Sequence, residues 1–393
     1  MSGTIIDYIN EYGDDSFCDR PFCDVDSLAL CQLSYLKFDG MVTDVRAYGS
    51  WVTLQEVMER PDSDRLFVED WYEKSNRALV NAMLSGKRFR TLRMNCYVNL
   101  VEKEWETQFS AITFMLEDGT VYIAFRGTDE TIIGWKEDFN MAFVHPVPGQ
   151  SYSVKYLNMV TGRLHGPVYV GGHSKGGNFA VYSAMKCVPK TAKNIVKVYS
   201  MDGPGFRPEI LEAGEYEKIQ EKVVKLVPHA SLIGMIFEQD THYEVVESKS
   251  YGVAQHNPYT WLVENGEFVK AKDVYAGRRR RNRMLNEWIL SLNETQLKIF
   301  VDTLYQAVSA AEAESLPEFA ANLKESINRV LTALREVDDQ TARILREMAK
   351  SLFEMAGANM RKELKVHRLR KMKRGRDFES GTQRASEEER PTE

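Results

Sequence analysis

The residues with the most obvious chemistry are Gly172-His173-Ser174-Lys175-Gly176. Their G-x-S-x-G spacing has a mechanical reason. A short strand carrying Val168 and Val170, with its end near Val170, must turn sharply into a helix carrying Phe179, Ala180 and Ala184. The residue at the tip is held in a strained conformation, and glycines two before and two after it remove Cβ atoms that would collide. Ser174 is expected at that tip, at a helix N-terminus, where N–H groups and the helix dipole favour a developing negative charge. A glycine-rich turn with an exposed serine would leave the same five letters, so reading Ser174 as a nucleophile depends on its surroundings.

A nucleophilic serine needs a base within hydrogen-bond reach, and the base needs an orienting acid. His256 is the expected base: it follows the last strand-like segments, in a loop with Asn257 and Pro258. His229 directly follows a strand and suits an acid's position better, His242 reads as a surface residue, and His367 lies in the helical tail. His173 is expected to point into the core or the sheet edge. Asp202 is the favoured acid, because it ends the strand after the elbow helix, at the carboxyl edge where sheets collect functional groups. It also reads as a turn-former beside Gly203 and Pro204, and Glu238 and Asp240 are rivals. For the oxyanion, the expected donors are the main-chain amide of Lys175 and the loop at Thr128, whose hydroxyl adds a further donor. Arg126 and Asp129 read as ions holding that loop.

Elements that position these residues follow from periodicity. Val25, Leu28, Ala29, Leu33 and Leu36 recur at helical spacing, with Asp24 or Asp26 suited to cap the start. Further helices are expected over 51–58 and 66–84, with mixed strand and loop character over 90–100. Strands over 110–117 and 120–125 flank a turn at Asp118-Gly119. Residues 138–149, with Pro146 and Pro148, read as a loop or lid, and 152–164 as the helix leading to the elbow strand. Strands follow at 195–200, 223–227 and 245–246, and 261–269 ends the region with a turn at Asn265-Gly266. The alternation predicts an α/β fold, a mostly parallel sheet with helices on both faces. The domain expectation is 1–275 for this region, 276–374 for a helical extension and 375–393 for a polar, disordered tail.

Composition narrows the class. The 393 residues are 43% hydrophobic and 27% charged, as in soluble globular proteins, and a net charge of −6 gives no reason to expect nucleic-acid binding. Neither a signal peptide nor a membrane span is legible. Five scattered cysteines, Cys18, Cys23, Cys31, Cys96 and Cys187, read as reduced thiols in a cytoplasm. No metal is expected, since Cys18 and Cys23 lack ligand spacing, and no cofactor is called for. The basic stretch 361–376 reads as a solvated helix face or as an electrostatic contact with anionic lipid, at a membrane periphery, or with nucleic acid. The C-terminal helices are also candidates for a homo-oligomer contact.

Phe125-Arg126-Gly127-Thr128, Trp135 and Asp138, followed by the Gly-His-Ser-x-Gly motif, resemble the class 3 lipases. More closely, the chain is similar to a bacterial family of uncharacterised lipase-like proteins. That likeness is carried by Val25-Asp26-Ser27-Leu28, Gln32 to Tyr35, 172–178, Asp202 to Phe206, and Gln255-His256 before Trp261, about the first 275 residues. The resemblance implies an α/β-hydrolase fold, Ser174 as nucleophile and Thr128 as oxyanion donor. It also puts the acid after strand 223–227, where Ser231 stands; either Asp202 replaces it from one strand earlier or the triad is incomplete. The function expected is a serine hydrolase cleaving a small ester or lipid through an acyl-enzyme. The alternatives are a hydrolase-fold scaffold binding partners through its helical tail, and, more weakly, acyl transfer or thioester cleavage.

Overall fold

In a computed structural model the chain divides into two units, Met1–Tyr305 and Gln306–Glu393. The structure describes residues 2–291, apart from 48, 69–71, 103, 105–106, 129–136, 138–140, 142–144, 213, 239–242 and 275. The expected tail, the basic stretch 361–376, and Asp129, Trp135, Asp138, Asp240, His242 and His367 lie outside the described residues.

The strands are β1 (Val52–Thr53), β2 (Arg93–Glu102), β3 (Thr107–Met115), β4 (Val121–Phe125), β5 (Val168–His173), β6 (Ile195–Met201), β7 (Val223–Pro228) and β8 (Glu244–Val246). Three short ones follow, β9 (Val263–Glu264), β10 (Glu267–Phe268) and β11 (Lys270–Ala271). All but β9 and β10 form one sheet, in the order β1-β2-β3-β4-β5-β6-β7-β8-β11. The pairings from β4 to β8 are parallel, and those toward both edges are antiparallel. The sheet is therefore mixed, with its parallel part in the middle.

Burial on both faces explains why the central strands are nearly continuous apolar runs. On β4, Tyr122 and Ala124 belong to one core cluster, and Val121, Ile123 and Phe125 to the other. The first cluster is filled from the helices Ile5–Tyr12, Asp24–Leu33 and Glu73–Ser85. The second receives the helices Pro148–Arg163 and Lys175–Lys186. The first layer is pinned by a fully buried ion pair, Arg88 Nη2 to Asp26 Oδ2 at 2.5 Å. Asp26 Oδ2 also accepts the Cys23 N–H at 2.9 Å, so Asp26 supports the start of its helix from the third helical position.

Several boundaries differ from expectation. Of the stretch 90–100, read as mixed strand and loop, all from Arg93 onward belongs to the continuous strand β2, whose pairing with β3 slips between Asn95 and Val98. Residues 148–149, read as loop, begin the helix Pro148–Arg163, because proline's fixed φ and missing N–H suit the first helical position. The helix expected over 66–84 is a 3₁₀ turn, Ser63–Phe67, and a separate helix, Glu73–Ser85. Residues 51–58 divide into β1 and a short helix, Leu54–Met58. The elbow strand runs past Val170 to His173, and 276–291 is helical, Ala276–Ser291.

Candidate functional site

Ser174 stands between the last residue of β5 and the first of the helix Lys175–Lys186, at φ 58° and ψ −131°. Its N–H donates to the Met201 carbonyl at 2.9 Å, tying the bend to β6. The flanking glycines are required by contact. A Cβ on Gly172 would lie 2.2 Å from the Gly176 backbone, and one on Gly176 would lie 2.1 Å from the Phe125 carbonyl oxygen. The strained serine is thus over-determined by close backbone approaches on both sides.

His256 ends the 3₁₀ turn Gly252–His256. Its Nε2 is 2.9 Å from Ser174 Oγ, and its Nδ1 is 2.6 Å from Asp202 Oδ2. Ser174 is 9% exposed, and Asp202 is completely buried. Asp202 follows β6 directly, at φ 50°, a left-handed conformation that aspartate tolerates better than most side chains. Its second oxygen, Oδ1, accepts from Ser231 Oγ at 2.5 Å and from the Gly234 N–H at 3.2 Å. Ser231, where the lipase resemblance puts the acid, donates to Asp202 instead. The rival Glu238 forms a buried ion pair with Lys225.

Because a carboxylate only accepts, His256 Nδ1 carries the proton in the neutral ring, and Nε2 is left to accept from Ser174. The histidine's turn is held from several directions. Gln255 accepts the Ala230 N–H at 2.8 Å, donates to the Ser250 carbonyl at 2.8 Å, and lies 2.7 Å from His229 Nε2. Trp261 Nε1 donates to the Gln255 carbonyl at 2.9 Å. His229, considered for an acid's position, is therefore part of the scaffold, with Nδ1 3.1 Å from Glu247.

His173 is buried and lies beside the triad-like group. Its Nε2 is 2.9 Å from the His256 carbonyl oxygen, and its Nδ1 is 3.0 Å from the Tyr35 hydroxyl. The two imidazole rings are 4.6 Å apart, centroid to centroid. Burial, with a smaller contribution from the neighbouring His256, drives the His173 pKa well below its usual 6.5, so the ring stays neutral.

Thr128 is half-buried on the loop after β4. The preceding Gly127 lies against the elbow: a Cβ there would sit 3.1 Å from Ser174 Cβ and 2.6 Å from the His173 carbonyl. Lys175 occupies the first position of the elbow helix, and its side chain has a role not anticipated from sequence. Its Nζ is fully buried, 3.0 Å from Glu137 Oε2 and 2.8 Å from Gln108 Oε1. Glu137 Oε1 accepts the Gly149 N–H at 2.9 Å, so the pair joins the elbow to the start of the helix Pro148–Arg163. Arg126 is buried and donates to Asn99 Oδ1 at 2.7 Å. Among the described residues, no cluster of three or more His, Cys, Asp or Glu could hold a metal, and no helix is long and apolar enough to cross a membrane.

No sequence signal identified Tyr35, Ser231 or Glu137 as partners, because each acts across 29 to 138 positions of chain. For His173 the signal was its place next to Ser174 on a strand buried on both sides.

The family expectation is corrected by comparison with known proteins. The match is neither to the class 3 lipases nor to the bacterial lipase-like family, and no lipase or α/β-hydrolase family matches. The physical reason is that a G-x-S-x-G elbow records the sterics of a strand-to-helix bend, which unrelated sequences can share. No curated protein and no solved structure matches the chain. A family model described as Mbeg1-like matches residues 83–306, more than half of the 393 residues, and the chain belongs to the Mbeg1-like family.

Proposed function

We propose that the protein is a serine hydrolase that cleaves carboxylic esters, small or lipid, through an acyl-enzyme on Ser174. One observation carries the reading: an unbroken hydrogen-bonded path runs from Asp202 through His256 to a serine held at positive φ on a strand-to-helix bend. In this reading the fold is of the α/β-hydrolase type, with the order Ser, Asp, His along the chain. Ser174 Oγ attacks the ester carbonyl carbon as its proton passes to His256 Nε2. Asp202 stabilises the imidazolium that forms. The oxyanion takes hydrogen bonds from the Lys175 main-chain N–H and from Thr128, at the positive end of the elbow helix. Collapse of the tetrahedral intermediate expels the alcohol, which receives the proton from His256. Water then enters, gives its proton to His256 and attacks the acyl carbon; collapse frees the acid and restores Ser174.

A cytoplasmic setting is part of the proposal, supported by five free thiols. A fluorophosphonate probe is expected to label the wild type, and Ser174→Ala to abolish labelling. Equal labelling of the two proteins would remove Ser174 from the role.

A further inference from the structure

His173 and Ser174 are adjacent in the chain, whereas His256 arrives 82 positions after the serine. A catalytic hydrogen bond between residues so far apart must survive thermal motion of two separate loops. The Ser174–His256 bond cannot secure this alone, since it breaks at each turnover. A second, non-reacting tie between the same two peptide segments is present. It runs from the His173 ring to the main-chain oxygen of His256 at 2.9 Å.

The donor and acceptor in this tie are fixed by elementary valence. A carbonyl oxygen only accepts, so His173 Nε2 carries the proton. The neutral ring then has its lone pair on Nδ1, and Tyr35 O–H, 3.0 Å away, donates to it. Tyr35 follows the helix Asp24–Leu33, so the tautomer is set from the opposite layer of the fold from the elbow helix. The two rings are tilted by 32° with centroids 4.6 Å apart, which leaves His173 close to the base but outside the proton path.

Resting on the serine-hydrolase reading, we propose that His173 is a positioning residue: it donates Nε2–H to the His256 main chain, holds the base at Ser174, and has its tautomer set by Tyr35. The tie acts on the backbone of the base and makes no bond to its ring, so His256 Nε2 stays available to take the proton from the serine and pass it to the leaving group. Misplacement of a catalytic group by about 1 Å costs about 100-fold in rate, which sets the scale of the effect.

The test compares His173→Leu, which removes the donor, with His173→Gln, whose amide nitrogen reaches the place of Nε2, and with Tyr35→Phe. Two readouts are taken on the full chain. These are p-nitrophenyl ester kinetics and the downfield proton resonance of His256 Nδ1–H, which reports the short bond to Asp202. His173→Leu is expected to lower kcat about 100-fold with KM within about threefold, and His173→Gln to restore kcat to within about fivefold of wild type. The resonance should be sharp in wild type and His173→Gln and broadened in His173→Leu. If His173→Leu does not fold, Tyr35→Phe carries the test through the same broadening and a fall in kcat. Equal kcat in the Leu and Gln variants, or an undisturbed resonance in whichever donor-deficient variant folds, overturns the proposal. A wild type that neither turns over esters nor labels with the fluorophosphonate removes the hydrolase reading instead, and the resonance still decides the tie.

Discussion

Replacing Asp202 by Asn makes a sharp test, because the surroundings dictate how the amide must lie. Asp202 Oδ1 receives two donors, Ser231 Oγ–H at 2.5 Å and Gly234 N–H at 3.2 Å, and the second can only donate. The asparagine oxygen therefore takes the Oδ1 place, and its NH₂ takes the Oδ2 place, 2.6 Å from His256 Nδ1. Facing a donor, Nδ1 gives up its proton and the ring holds it on Nε2 instead. That nitrogen now points a proton at Ser174 Oγ across 2.9 Å and cannot accept one. A tautomer inversion of this kind costs about 10⁴ in kcat, or about 5 kcal/mol of transition-state stabilisation. The fold keeps both donors on the oxygen side, so the thermal midpoint should move little. The assay is the rate of fluorophosphonate labelling together with ester turnover, alongside a thermal melt. A folded Asp202→Asn protein within tenfold of wild type would refute the tautomer argument and the role of Asp202 with it.

Other perturbations follow from the same contacts. Gly176→Ala puts a Cβ 2.1 Å from the Phe125 carbonyl, so a loss of several kcal/mol is expected, seen as a lower urea midpoint. Lys175→Met strands the buried Glu137 carboxylate and should cost about 3–5 kcal/mol; adding Glu137→Gln should recover part of it, and equal stability of the single and double variants would contradict the pairing. His173 is held neutral in the fold, its pKa well below 6.5, while in the unfolded chain it takes up a proton as pH falls through that value. Its contribution is thus complete above about pH 6.5 and is lost toward acid, by up to about 1.4 kcal/mol per pH unit until the folded pKa is reached. The difference in urea stability between pH 7 and pH 5 should shrink in His173→Gln.

The parts of the fold legible in the sequence were those with local causes. Asp118-Gly119 marked a turn because Gly119 sits at φ +85°, and the elbow was visible because two glycines are needed within five residues. Strand β2 was obscured because its alternation breaks at Cys96, which takes a φ of 55° where the pairing with β3 slips. Pro148 was misread because a proline breaks a helix interior but favours a helix start. At the candidate site, chain order and strand ends brought Ser174, Asp202 and His256 into view. Asp202 was favoured over Glu238 from its strand end alone, and the ion pair that Glu238 makes with Lys225 was not legible. Tyr35 on His173 and Ser231 on Asp202 were equally hidden, because such pairings exist only once distant strands are assembled.

The family match begins at residue 83, yet much of the core on one side of the sheet comes from residues that precede it. Ile5, Tyr8, Leu28, Leu33 and Leu79 share one buried cluster with Tyr122, Ala124, Tyr199 and Met201. A recombinant protein trimmed to the shared region would bare that greasy surface to water and also lose the Tyr35 hydroxyl. Its expected fate is aggregation. The stretch matched by the family model is therefore shorter than the stretch that packs as one body, and a stable fragment has to include the leading segment.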